Sequence, residues 1–470
     1  MAIKPTVVMY PASGMGHLVP MVELAKLLLL HEFAVSVVLM ESPIKHPSMD
    51  PFISRVSASN PSISFHHLPP PAAAAAEPAS MFMGIDVHNP NLLQFLGALR
   101  RTFDVRAVVL DFFCTDALSV TAELGLPSYF FSASSASGLA TLLYLPFLHS
   151  TTDVSFGDLG DALVHFPGFP PLPASHLPRE TMRREDELYK ALLNMCNCLP
   201  SADGILINSF EFLEAEAVRA LRDGECVPGR RMPPVYCIGP LMADQSKAVE
   251  GEKNEKAECV AWLDEQPRGS VVFLCFGSLG SFSEQQLKAI ATGLEKSGQR
   301  FLWVVKAPRR ENEVPQQALS TELDDVLPEG FLKRTKQRGL VVKSWAPQVE
   351  VLNHEAVGGF VTHCGWNSVL EAVTAGVAMV AWPLYAEQRM NKVLLMEQAQ
   401  LLVAMEGYDE EMVAAEEVER KVRWLIESEG GRERATAMKE RAVEAKREGW
   451  SSRQAWLEVV KAFKEFKLEA

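Results

Sequence analysis

The sequence switches between two periodicities over and over. Short apolar runs, "TVVMY" (6–10), "AVSVVLM" (34–40), "RAVVLDFF" (106–113) and "DGILINSF" (203–210), read as strands. Helical spacing follows them. After the first run, Leu18, Met21, Val22, Ala25, Leu28 and Leu29 share one helical face. After the third, a helix runs from about Thr115 to Leu124 and stops at Gly125. The alternation restarts further on with "SVVFLCF" (270–276), a helix at 283–297, "RFLWVVK" (300–306), "GLVVKSW" (339–345), "GGFVTH" (358–363), a helix at 365–376 and "VAMVAWP" (377–383). Strands joined by helices demand a parallel sheet covered on both faces. A chain of 470 residues also exceeds the ~250–300 at which one core stops growing. The expectation is therefore an α/β protein of two doubly wound halves, without a repeat visible at residue level.

Three stretches break the pattern. "LPPPAAAAAEPAS" (68–80) is a Pro/Ala loop, and 165–180 carries five prolines, too many for a regular element. Both could wall a pocket or simply decorate the surface. The polar, charged segment 242–258 reads as the link between the halves, and a polar loop spans 307–325.

A formal net charge of −14 disfavours nucleic acid and anionic membranes as partners. The eight cysteines include no C-x-x-C pair and read as reduced thiols. "MVELAKLLLL" carries Glu23 and Lys26, so no signal peptide is expected, and no uncharged apolar window approaches the ~18 residues of a membrane span. The glycosylation pattern at Asn60 is disqualified by proline. A cytoplasmic, monomeric protein is the expectation.

Two strand ends could carry phosphate chemistry. Gly277-Ser278 follows a strand, and Ser283 with Gln286 forms a capping box for the next helix. Helix starts at the carboxyl edge of a parallel sheet offer N–H groups and a positive dipole end. Alternatively, Gly277 and Gly280 only turn the chain. A second strand, turn and helix start crowds His363, Asn367 and Ser368 together, donors for a diphosphate without a Lys or a metal. Glu371 lies one turn beyond Asn367 and could accept from ribose hydroxyls, or be an exposed helix charge. Trp345 could lay its indole on a base, or belong to the core. His354, His363 and Cys364 match no common zinc spacing, so no metal is expected.

The 44 residues from Trp345 to Gln388, with W-A-P-Q, H-E-A-V-G-G-F-V-T-H-C-G-W-N-S and the terminal Glu387-Gln388, resemble the signature box of plant family-1 UDP-dependent glycosyltransferases. "GMGHL" (14–18) fits as well. The resemblance implies the GT-B fold, two Rossmann-like domains facing across a cleft. It implies an acceptor domain at 1–241, a linker at 242–258, a donor domain at 259–450 and a final helix at 451–470 packing back on the first domain. It implies that Trp345 stacks on uracil, that Ala346 and Gln348 contact the nucleoside and that Glu371 holds the ribose. Ser278, His363, Asn367 and Ser368 would bind the diphosphate; Trp366, Glu387 and Gln388 would face the sugar. Many members carry Asp where this chain has Glu387, whose extra methylene shifts the register of the carboxylate on the sugar. Gln388 and Trp366 resemble glucose users. UDP-glucose would be a co-substrate, with no cofactor.

The reaction needs a base. His17 follows the first strand and Asp111 ends a later one, so the shared carboxyl edge of a parallel sheet can bring them together. A helix start disfavours the imidazolium, and a carboxylate on the other ring nitrogen fixes the tautomer. A helix cap or packing role is the other reading of His17, and Asp116 competes with Asp111 as a cap. In the family, "GMGH" and "VVLDFF" occupy the places of the base and its orienting acid. The acceptor hydroxyl, deprotonated by His17, would then displace UDP in one inverting step, giving a β-glycoside from an α-linked donor.

Phe113 and Leu142 resemble acceptor-lining positions, and Ser134 and Ser135 a Thr/Ser pair near the sugar. With 81–83 and 165–180 they suit a flat phenolic such as a flavonoid or chalcone, though each could equally be core. Transfer to a ring carbon is an alternative, as is a non-catalytic nucleotide-sugar-binding protein. A nicotinamide oxidoreductase is weaker: Gly14-x-Gly16 lacks a third glycine, and Glu41 is the nearest ribose acid.

Overall fold

The computed structural model describes residues 4–40, 48–71, 83–242, 258–308 and 322–466. The chain separates into two compact units, 1–244 with 444–470, and 245–443. The return to the first unit falls inside the helix Glu429–Ala445, before the boundary expected at 450.

The first unit is built on a seven-stranded sheet. Its strands are β1 (Pro5–Tyr10), β2 (Ala34–Leu39), β3 (Ile63–His67), β4 (Asp104–Asp111), β5 (Ser128–Ser132), then, after a short antiparallel ribbon of β6 (Leu163–Val164) and β7 (Leu172–Pro173), β8 (Gly204–Ile207) and β9 (Val235–Cys237). The order β3-β2-β1-β4-β5-β8-β9 is parallel throughout. One face buries Val7, Met9, Val35 and Val37 against the helix Met15–Leu29. The helix Ser451–Glu465 seals that same face with Trp456, Val459, Val460 and Phe463, each contributing about 1.5–3 kcal/mol by burial. Phe463 meets Phe33 and Tyr129 edge-on, and Arg106 donates to the carbonyls of Lys464 and Phe466. The other face buries Val8, Leu110, Phe130 and Ile205.

The second unit has β10 (Val271–Cys275), β11 (Arg300–Val305), β12 (Gly339–Lys343), β13 (Val357–Thr362), β14 (Ala378–Ala381) and β15 (Leu402–Ala404). They form one parallel sheet in the order β12-β11-β10-β13-β14-β15. Two parallel sheets with covering helices are the GT-B architecture expected from the sequence.

Several elements differ from expectation. The helix after β4 is split into a 3-10 turn, Thr115–Ala117, and Leu118–Glu123, closing at Gly125 with φ 62°. Strands β3, β5, β9 and β15 and the β6–β7 ribbon are not among the runs expected from the sequence. The segment 165–180, expected to hold no regular element, contributes β7 and the 3-10 turn Ala174–His176, and is not merely superficial: Phe166, Phe169, Leu172 and Leu177 are buried. Residues 243–257 of the expected linker, 72–80 of the Pro/Ala loop, and most of 307–325 and 81–83 lie outside the described residues. Among the described residues no helix is long and apolar enough to cross a membrane, and all eight cysteines are free thiols.

Candidate active site

In the first unit, chemistry gathers where β1 and β4 end side by side, with Tyr10 opposite Leu110 in the register. The chain leaves β1, turns at Gly14 and enters a helix. Gly14 is its N-cap with φ 106°, a conformation closed to other residues, and no side chain caps it. His17 sits in the first turn with 15% of its side chain exposed. Its Nδ1 lies 2.8 Å from Asp111 Oδ2, and Asp111 is fully buried at the end of β4. The other oxygen, Oδ1, accepts from the Phe113 N–H at 3.0 Å. A carboxylate only accepts, so Nδ1 carries the proton and Nε2 presents its lone pair. Phe113 lies 5.0 Å and Phe112 6.1 Å from the imidazole, centroid to centroid.

Phe113 and Leu142 are partly exposed beside the core. Ser134 is partly exposed, whereas Ser135 is buried and caps the helix Ala136–Thr151, accepting from Gly138 N at 2.9 Å. A residue the sequence did not single out completes that cap. Fully buried Glu214 accepts from the N–H groups of Ala136 and Ser137, both at 2.9 Å, and from the Ser209 hydroxyl. Burial pushes its carboxyl up, and these donors oppose the shift.

In the second unit the ends of β10, β11, β13 and β14 form the site. Gly277 turns out of β10 with φ 72° and leads to exposed Ser278. The helix Glu284–Ser297 is capped by Ser283, which accepts from Gln286 N at 3.2 Å. The reciprocal half of the expected capping box is missing. Gln286 instead exchanges hydrogen bonds with the Val413 backbone, at 3.1 and 2.8 Å, because it is buried between elements.

His363 follows β13 and is 5% exposed. Glycines crowd it. A Cβ on Gly277 would stand 2.5 Å, and one on Gly365 2.4 Å, from its Nε2. Burial, aided by the Lys306 charge, pushes its pKa down to about 3, so the ring is neutral. Nδ1 is buried without a hydrogen-bond partner among the described residues. The helix Trp366–Ala375 opens at Gly365 with no side-chain cap. Asn367 is partly exposed at that start and Ser368 is buried. Gln348 Nε2 donates to Ser368 Oγ at 2.8 Å and to Glu371 Oε2 at 2.6 Å, tying three expected site residues together. Burial lifts the Glu371 carboxyl to about 7 against the pull of that amide. Glu371 is thus a half-buried carboxylate tied to Gln348, not a freely solvated helix charge.

Trp345 is 66% exposed, an indole held at the surface rather than in the core, while Ala346 is buried behind it. Trp366 is buried. The loop after β14 approaches the Gly277 turn: a Cβ on Gly280 would meet Leu384 Cδ1 at 3.0 Å, and the Tyr385 and His363 rings are 6.2 Å apart. In this loop Glu387 is partly exposed and occupies the N-cap position of the helix Gln388–Val393 without a side-chain cap bond. Gln388 is buried, with Oε1 accepting from Leu384 N at 2.8 Å and Tyr385 N at 3.0 Å. Its amide nitrogen is therefore the end suited to a sugar. Five non-glycine residues have positive φ among the described ones, and three of them, Ser344, Cys364 and Ala386, abut Trp345, His363 and Glu387. Such strain concentrates where geometry is functional. Lys306, beside Gly277, is a cation that the sequence reading left out. No group of three or more His, Cys, Asp or Glu among the described residues is placed to hold a metal ion.

Comparison with known proteins shows the family. The family described as "UDP-glucoronosyl and UDP-glucosyl transferase" matches residues 228–440. An anthocyanidin 5,3-O-glucosyltransferase of a Rosa hybrid cultivar is 44% identical over 95% of this chain and 96% of its own. A phloretin 2'-O-glucosyltransferase of Pyrus communis is 46% identical over 91% and 92%. The structure of Phytolacca americana UGT2 with UDP-2fluoro-glucose and pterostilbene superposes with a TM-score of 0.86 at 34% identity, covering 98% of this chain and 100% of that one.

Proposed function

This chain belongs to the UDP-dependent glycosyltransferases, and from that premise we propose that it moves glucose from UDP-glucose to a hydroxyl of a small phenolic acceptor, with inversion. The observation that carries the chemistry is the 2.8 Å contact of His17 Nδ1 with buried Asp111. It leaves Nε2 as the base that takes the acceptor proton, while Asp111 stabilises the imidazolium as it forms. The acceptor oxygen attacks the anomeric carbon from the face opposite UDP, the C1–O bond to the diphosphate breaks, and UDP departs. One displacement turns an α-linked donor into a β-glycoside.

The second unit is read as the donor domain and the first as the acceptor domain. Trp345 stacks on uracil, with the Ala346 backbone and Gln348 beside the nucleoside. Glu371 accepts from the ribose. Ser278, His363, Asn367, Ser368 and the start of the helix Trp366–Ala375 hold the diphosphate, spreading the leaving-group charge over N–H and O–H dipoles. This reading requires no metal. Glu387 and the Gln388 amide face the sugar; buried Trp366 backs them. Phe113, Leu142 and Ser134 line the acceptor side, and Ser135 acts there by fixing the helix start. A relative acting on phloretin and another acting on anthocyanidin support a flavonoid-like acceptor. We read the protein as a cytoplasmic monomer.

The test is incubation with UDP-glucose and a panel of flavonoids, dihydrochalcones and simple phenols. UDP should be released together with a product heavier by one hexose, which a β-glucosidase cleaves. UDP binding without any glycosylated product across the panel would leave a binding protein, and a product resistant to acid and glucosidase would point to the ring carbon.

A further inference from the structure

Lys306 stands directly after β11, the neighbour of β10, with Leu274 opposite Trp303 in the register. Its side chain is therefore delivered to the turn that follows β10, and its Nζ donates to the Gly277 carbonyl. Among the described residues it pairs with no carboxylate. A partly buried ammonium without a counter-charge is costly unless an anion shares its surroundings. Two features identify that anion. Gly277 packs against His363, whose neutral ring cannot supply a positive charge and whose Nδ1 is buried and unpartnered. In addition, carbonyl and N–H point in opposite directions across a trans peptide. With Lys306 on the Gly277 carbonyl, the Ser278 N–H is turned away from the lysine.

We propose that Lys306 supplies the positive charge of the diphosphate site, holding the Gly277–Ser278 peptide with its N–H toward the ligand and offsetting the charge UDP carries as it leaves. The proposal rests on the donor-site reading above. Lys306 is a positioning residue: it does not touch the substrate, and acts both by holding the Gly277–Ser278 peptide and through the field of its charge. Burial also holds its pKa below that of an ordinary lysine, in keeping with a site awaiting an anion.

Calorimetric titration of UDP, UMP and uridine into Lys306→Met, Lys306→Gln and Lys306→Arg tests it. Loss of the lysine's charge beside the diphosphate should weaken UDP about tenfold and leave uridine within about twofold. Lys306→Gln retains a donor for the Gly277 carbonyl but no charge, so it should resemble Lys306→Met, while Lys306→Arg should recover most of the affinity. The kcat should fall with the UDP affinity in the neutral variants and return with Arg. Parallel weakening of UDP and uridine, or unchanged UDP affinity, overturns the proposal. Trp345→Ala run alongside separates the two layers: if it leaves both UDP and uridine unaffected, the donor-site reading itself fails, whatever Lys306 does.

Discussion

His17 and Asp111 lie 94 positions apart in the chain, yet Nδ1 and Oδ2 stand 2.8 Å from each other. The contact makes one nitrogen a committed donor and the other the base. His17→Ala should lower kcat by about 10²–10⁴-fold with UDP affinity unchanged. Asp111→Asn keeps the shape but offers an amide that can pair with the wrong tautomer, and should cost a similar factor. Single-turnover kinetics beside a UDP titration checks both, and full activity in either variant would remove His17 as the base.

Trp345 makes its case by exposure. An indole 66% open contributes little to the core, so Trp345→Ala should leave the melting temperature within about 1 °C, in line with surface substitutions generally. Base stacking is worth about 1–3 kcal/mol, so uridine and UDP affinity should both drop about 10-fold or more. A change in stability without a change in affinity would return Trp345 to a packing role.

Glu371 predicts a pH dependence. Its carboxyl is raised to about 7 in the unliganded protein, and the ionised form is the stronger acceptor for two ribose hydroxyls. Uridine binding should thus release a proton and weaken as pH falls below about 7, by up to tenfold per pH unit, and level off above it. Stability runs the opposite way: a raised pKa favours the fold below the unfolded value and loses that contribution as pH rises through 7. Glu371→Gln should flatten both profiles. A uridine affinity constant from pH 6 to 8 would contradict the ribose role.

Gly277 and Gly298 form a matched pair. Both have positive φ, 72° and 68°, but a Cβ on Gly298 meets nothing within 4 Å whereas one on Gly277 runs into His363. Gly298→Ala should cost about 1 kcal/mol in chemical denaturation. Gly277→Ala should cost more, and should weaken UDP beyond uridine by displacing the imidazole. Equal behaviour of the two variants would mean that the ring has room to move.

Phe463 tests the final helix. It is 1% exposed against Phe33 and Tyr129, so Phe463→Ala should destabilise the first unit by about 3–5 kcal/mol. UDP binding should survive in the second unit. Loss of both together would show the donor site to depend on the first unit.

The sequence made the meeting of His17 and Asp111 legible because each follows an apolar run, and parallel strands share one carboxyl edge. The same logic grouped His363, Asn367, Ser368 and Glu371. What it missed depended on partners. The spacing makes Gln286 half of a local capping box, but burial gives it the Val413 backbone instead, far along the chain. Glu214 sits in "NSFEFLE" with no local signal, and its meaning appears only when it meets the start of Ala136–Thr151. β5, "SYFFS", is buried on both faces and shows no alternation to read. Lys306 did leave a trace: a lysine closing the apolar run "FLWVV" lies at a ligand-binding edge.

The helix Ser451–Glu465 has a consequence for biosynthesis. It belongs to the first unit but is translated only after the second unit is complete. A ribosome therefore releases a nascent sheet whose Phe33 and Tyr129 side lacks its last covering while nearly 200 further residues emerge. The later-made half can finish folding first, while the earlier one keeps apolar surface open until its closing piece arrives.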